Sequence, residues 1–246
     1  MNISTKLKVS DSKSATSPSC KTLSAISKNT MSHNLIQESN ESIEYFSNYL
    51  SHMRLMKKIY SEISQEYSKD DEENIKDFFT LNDISSLITI CHLDLITNSK
   101  NLYLAESDWE KIFFIKNTFL VIYETINSFH KHGKFLNSKS KQNKITEELH
   151  TKANEMLKAF KKDFKYDSHI NKIRNKISGH INENFEEYYD EIIKFDAEKT
   201  ALMTLAFFKI IGSFQELLNE LMKNIKIDTS NINQEKLIEI QEKIFK

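Results

Sequence analysis

Ser107-Asp108-Trp109-Glu110 and His130-Lys131-His132-Gly133 bracket the stretch that decides the fold. Ser107 and Glu110 stand at the spacing of a capping box, in which a serine oxygen and a glutamate carboxylate satisfy the free amides of a helix start. Between the two quartets, Ile112, Phe113, Phe119, Leu120, Tyr123 and Ile126 recur at helical spacing. His130, Lys131 and His132 place cations where a helix ends, and Gly133 suits the left-handed cap that follows. The stretch therefore predicts one long amphipathic helix ending at Gly133.

Working outward, a polar Lys-Ser-Asn loop leads to a helix over 145–164, with Leu149, Ala153, Met156, Leu157, Phe160 and Phe164 inward. Before Ser107, residues 81–105 are apolar on several sides (Leu87, Ile88, Ile90, Cys91, Leu93, Leu95, Ile96), as in a central helix of a bundle. A first helix over 34–68 carries the stripe Ile43, Phe46, Leu50, Met53, Met56, Tyr60, Ile63 and Tyr67, with Asp70-Asp71-Glu72-Glu73 at or beyond its end. After 164, Asp167 or Ser168 can cap a short helix carrying Ile170, Ile173 and Ile177. A long helix over 196–225 follows, through Leu202, Leu205, Phe208, Phe214, Leu217, Leu221 and Ile225. With 3 Gly and 1 Pro in 246 residues, tight hairpins have few places to form. The expected fold is all-α, an up-and-down antiparallel helical bundle.

Residues 1–34 hold five Lys, one acid, many Ser and Thr and few large apolar side chains, and read as a disordered tail. The expected organisation is this tail, an α-helical domain over 35–225, and a C-terminal helical extension over 226–246. Cys20 and Cys91 offer neither a disulfide framework nor a Cys-based zinc site. The N-terminus lacks the apolar run of a signal peptide, and the apolar stretch 201–211 is shorter than the roughly 20 residues that span a bilayer. A cytoplasmic protein with no membrane partner is the expectation.

The net charge of −1 argues against a uniformly basic nucleic-acid binder, but the distribution is uneven. Residues 131–144 carry five Lys and no acid, and 157–180 carry six Lys and Arg174 against Asp163 and Asp167. Residues 183–198 then hold seven carboxylates against Lys194. Such basic blocks can attract phosphates, or can be ordinary solvated helix faces.

The glycines are isolated, so there is neither a P-loop nor a dinucleotide fingerprint. His-Glu-x-x-His, the serine elbow and the kinase set are missing as well. No cofactor and no metal are expected. What remains is Arg174-Asn175-Lys176-Ile177-Ser178-Gly179-His180. Arginine occurs only at 54 and 174, and a guanidinium fork suits a phosphate better than an ammonium does. On an unbroken helix Arg174 and His180 would point to different faces, about 9 Å apart along the axis. They converge only if the helix ends or bends, and Gly179 is where that is easiest. In the alternative, the helix continues, Ile170, Ile173, Ile177 and His180 form one apolar stripe, and His180 is a core histidine.

Ile173-Arg174-Asn175-Lys176-Ile177-Ser178-Gly179-His180 resembles the motif of HEPN domains: an arginine, a polar residue directly after it, and a histidine four to six residues beyond the arginine. Asn101-Leu102-Tyr103-Leu104-Ala105 and Phe119-Leu120-Val121-Ile122-Tyr123-Glu124 also resemble helices of HEPN-like proteins from toxin–antitoxin and abortive-infection systems. The resemblance covers roughly residues 80–225. It implies an all-α bundle that dimerises, pairing two motifs, and in many members a metal-independent ribonuclease. Carried over, Arg174 would hold the scissile phosphate, His180 would move protons, Asn175 would orient one of them, and Lys172 and Lys176 would contact RNA. Asn182 stands where one variant has a tyrosine, and some HEPN domains are non-catalytic RNA, nucleotide or partner-binding modules. A homodimer, RNA and an antitoxin or defence-system partner are the implied associations. A helical scaffold protein is the remaining alternative.

Overall fold

The computed structural model describes residues 20–63, 72–170 and 196–226, and Glu186, Lys194 and Ile238 singly. It is all-helical, with no strand among the described residues. The helices are α1 (Cys20–Ile63), α2 (Glu72–Leu104), α3 (Asp108–Ser140), α4 (Lys144–Asp163) and α5 (Ala197–Lys223), with a π-helical turn at Tyr166–Ile170. The chain forms two units, 1–38 and 39–246. The first is helical from Cys20 on, well before the expected start at Asn34; no Gly or Pro interrupts the sequence between Pro18 and Gly133. Residues 20–34 of the expected disordered tail are therefore helical, while 1–19, and 227–246 apart from Ile238, lie outside the described residues.

In the second unit, α2 to α5 and the π-helical turn share one core. Ile84, Ile88 and Leu95 of α2 meet Ile115, Ile122 and Ile126 of α3, Leu157 and Phe160 of α4, and Phe207, Phe214 and Leu217 of α5. Successive helices run antiparallel, as their cross-contacts record. Lys139 near the end of α3 pairs with Glu73 and Asp77 at the start of α2 (3.2 and 2.5 Å). Phe160 of α4 packs on Phe207 of α5 (ring centroids 5.2 Å), and Lys152 meets Glu216 (3.4 Å). Buried threonines do not break this core. Thr89, Thr118, Thr125 and Thr204 each donate to the carbonyl one turn back in their own helix, which satisfies the hydroxyl without a partner helix.

The capping box forms as read: Glu110 N donates to Ser107 Oγ (3.2 Å), and Ser107 N donates to Glu110 Oε2 (2.9 Å). The Ser107 amide, the Ser107 hydroxyl and the Glu106 amide, all donating to Oε2, hold the Glu110 carboxyl below its ordinary range. The far end differs. α3 does not stop at Gly133 but runs to Ser140, and no glycine has a positive φ among the described residues. A glycine inside a helix costs about 1 kcal/mol. Continuing buries Leu136 to 1% exposure, worth roughly 1.5–3 kcal/mol, so the helix passes through. His130 and His132 are therefore interior to α3, not the cations of its last turn. Asn143 caps α4 instead, accepting from Ile145 N (2.8 Å), and Thr146 Oγ1 closes the turn onto Ser140 O (2.7 Å).

Glu72 and Glu73 belong to the first turn of α2, where carboxylates complement the helix dipole, and not to the end of α1. Of the expected short fifth helix only Tyr166–Ile170 is described, as the π-helical turn; Ile173 and Ile177 lie outside the described residues. In α5, Leu202 and Leu205 are exposed (57% and 59%), while Met203, Phe207, Ile210, Phe214, Leu217 and Leu221 face the core. The residues from 201 to 211 are apolar almost all round, so local pattern leaves two faces open. The Leu202–Leu205 face leads on to Gly212, Gln215 and Asn219, whereas the Met203–Phe207 face stays apolar to Leu221. Phe113 is exposed for the same reason, being off the Ile115–Phe119–Ile122–Ile126 line. By length and composition α2 and α5 each pass for membrane-crossing helices, although 201–211 alone is short; half of each such window is buried inside the protein.

Candidate functional site

The residues that the sequence singles out, Lys172, Arg174, Asn175, Lys176 and His180, lie outside the described residues, as do Gly179 and Asn182. The structure describes how the chain enters that stretch. α4 ends at Asp163, and Lys165 adopts a left-handed conformation (φ 50°), turning the chain before Tyr166–Ile170. Ile170, the last described residue before the motif, is fully buried in the core.

Around this entry stands a cluster that spacing along the chain does not reveal. Lys161 Nζ donates to His130 Nε2 (2.6 Å) across α4 and α3, which places the imidazole proton on Nδ1. The same ammonium lies 5.1 Å from the centre of the Tyr166 ring, within cation–π range. Tyr166 stacks on Tyr123 (6.0 Å, 12° between planes) and is only 5% exposed. Its hydroxyl has no hydrogen-bond partner among the described residues, a cost of about 1–3 kcal/mol in a buried site. Burial depresses the Lys161 ammonium. His130 is lowered by burial and then by Lys161. Tyr166 is raised by burial, and further by Tyr123, Asp167 and Glu124. A neutral imidazole already engaged by a lysine, beside a phenol held protonated, anchors the chain better than it moves protons. Lys158, Lys162 and Lys165 of the basic block are exposed around it.

Other titratable groups fall into less reactive surroundings. A cavity of about 320 Å³ between α2 and α3 is lined by Cys91, Asp94, Glu124 and Thr125 with apolar neighbours. Burial pushes the Cys91 thiol up to about 12, which removes it as a nucleophile near neutrality. A second cavity, about 230 Å³, holds Lys139 with Glu73 and Asp77, and Asp77 raises that ammonium most. Among the described residues no group of three or more His, Cys, Asp or Glu is placed to hold a metal.

Sequence reasoning passed over His130–Lys161 and Tyr166 because their partners are on other helices. The one available signal was Tyr166 itself, an aromatic residue directly after a helix whose inward face ends at Phe160 and Phe164. No family model matches this chain, and no curated protein and no solved structure matches it either.

Proposed function

We propose that the protein is a metal-independent endoribonuclease of HEPN type, an up-and-down bundle that works in the cytoplasm as a homodimeric toxin or phage-defence effector. The observation that carries the reading is the spacing of Arg174, Asn175 and His180, an arginine and its polar neighbour with a histidine six positions beyond the arginine. The all-helical architecture supports it, as do the exposed lysines that lead into the motif.

In the reaction, His180 of one protomer takes the proton of an RNA 2′-hydroxyl, and the freed oxygen attacks the adjacent phosphorus. The bond from phosphorus to the 5′-oxygen breaks, and the partner protomer's histidine returns a proton to that oxygen. The products are a 2′,3′-cyclic phosphate and a 5′-hydroxyl. Histidine titrates near neutrality and serves in either role, but one imidazole cannot be base and acid at once, which gives the dimer a chemical purpose. Arg174 neutralises the charge that builds on the phosphorane. Asn175 orients one of these groups, and Lys172 and Lys176 bind flanking phosphates. An antitoxin or defence-system protein is the partner such an effector requires.

Incubation of the purified protein with total RNA in EDTA tests the reading, with end-group analysis of the products. Cleavage leaving cyclic phosphate ends is expected. Arg174→Ala and His180→Ala should each lower it by at least about a hundredfold, the scale seen when one charge-stabilising donor is removed. Their stability should shift by only about 0.5 kcal/mol, as for surface sites. Arg174→Lys should also fail, since an ammonium lacks the bidentate fork. A clearly destabilised His180→Ala protein whose parent never cuts RNA would overturn the proposal and favour the core-histidine alternative.

A further inference from the structure

Residues 39–63 of α1 lie outside the core shared by α2 to α5. Among the described residues, α1 contributes no side chain to that core, and its one buried apolar residue is Met53. What holds it is a narrow antiparallel seam. Asn82 Nδ2 donates to Met53 O (3.1 Å), Tyr60 meets Phe78 (ring centroids 4.3 Å), and Lys57 pairs with Asp83 at the surface. Gln215 Nε2 of α5 reaches both Ser85 Oγ and Tyr49 Oη (3.2 and 3.4 Å).

The seam has one titratable pivot. The His92 ring of α2 lies between Phe46 of α1 (4.1 Å) and Phe208 of α5 (4.9 Å), tilted 36° and 39° against them. We propose that residues 39–63 form a detachable strap, released from α2 and α5 when His92 is protonated between Phe46 and Phe208.

The surroundings support a charge-intolerant contact. One turn either side of each ring stand Ser42, Ile43, Tyr49 and Leu50 on α1, Ile88, Thr89, Leu95 and Ile96 on α2, and Thr204, Leu205, Ile211 and Gly212 on α5. Tyr49 is the only titratable group among these. The nearest charged residues on the three elements, Glu44, Asp94 and Lys209, are exposed on neighbouring faces. Two aromatic faces favour a cation; burial acts the other way and pushes the His92 imidazole down to about 4 from its ordinary 6.5. The sign follows from linkage. The undocked strap leaves an imidazole that binds a proton below 6.5, while the docked state resists it until about 4. The proton-linked penalty on docking is therefore absent at neutral pH and grows as pH falls through that window.

Hydrogen–deuterium exchange on the full chain between pH 7.5 and 4.5, corrected for intrinsic exchange, measures this. Amides of residues 43–60 should lose protection by up to about tenfold per pH unit below 6.5, the limit for one linked proton. Amides of α3 and α5 should hold. In His92→Phe, which keeps a ring in the stack and cannot be protonated, and in the less bulky His92→Leu, the α1 profile should be flat. Protection of α1 that does not change with pH, or that falls equally in both variants, overturns the proposal. So does loss of α1 and α5 protection in step, or an unprotected α1 in both variants at pH 7.5.

Discussion

α1 and α5 are both long helices with an apolar stripe, yet the stripes serve differently. From Met203 to Leu221, α5 buries Phe207, Ile210, Ile211, Phe214, Leu217 and Leu218 at 2% exposure or less. On α1, Ile43, Phe46, Leu50, Met56 and Tyr60 are half-buried at the same spacing. The difference teaches that helical periodicity says which face is inward but not how deep it goes. Depth is set by how many helices converge on that face. α5 is packed on by α2, α3 and α4, whereas residues 39–63 touch chiefly α2, and reach α5 through the Tyr49–Gln215 hydrogen bond.

The largest expected effect separates these two stripes directly. Phe207→Ala removes a fully buried ring packed on Phe160 and should cost about 3–5 kcal/mol in thermal or denaturant unfolding. Tyr60→Ala on α1 should cost clearly less, because its ring is half in solvent; equal losses would place α1 inside the core and break the comparison. Asn143→Ala is next, at roughly 0.5–2 kcal/mol, for loss of the cap that starts α4. Unfolding should remain a single transition for α2 to α5, since they share one core, and a separate early transition would contradict that.

Smallest, and opposite in sign, are the helix-interior glycines. A Cβ at Gly212 of α5 or Gly133 of α3 would meet nothing within 4 Å, and neither residue has a positive φ. Gly133→Ala and Gly212→Ala should each raise stability by about 0.4–1 kcal/mol, read as a higher melting temperature. A loss at Gly133 would restore the helix end that its sequence context suggests.

Much of the framework was legible because local chemistry decides it. Ser107 and Glu110 specify a helix start through groups three residues apart, and the scarcity of Gly and Pro commits the chain to helices. The inward positions of α4 were readable for the same reason: the large apolar residues from Leu149 to Phe160 fall on one face. Arg174, Asn175 and His180 were legible only as a spacing, since whether they converge depends on the path of the chain between them. Tertiary structure alone decided the rest. α3 passes Gly133 because Leu136 finds a pocket farther on, and α5 turns Phe207 inward instead of Leu205 because its neighbours fill that side. Lys161 meets His130, and His92 packs against both Phe46 and Phe208, each across separate helices. Local spacing carries the energies of caps and propensities, about 1 kcal/mol each; burying a large side chain is worth more, and its site is chosen by the helices that surround it.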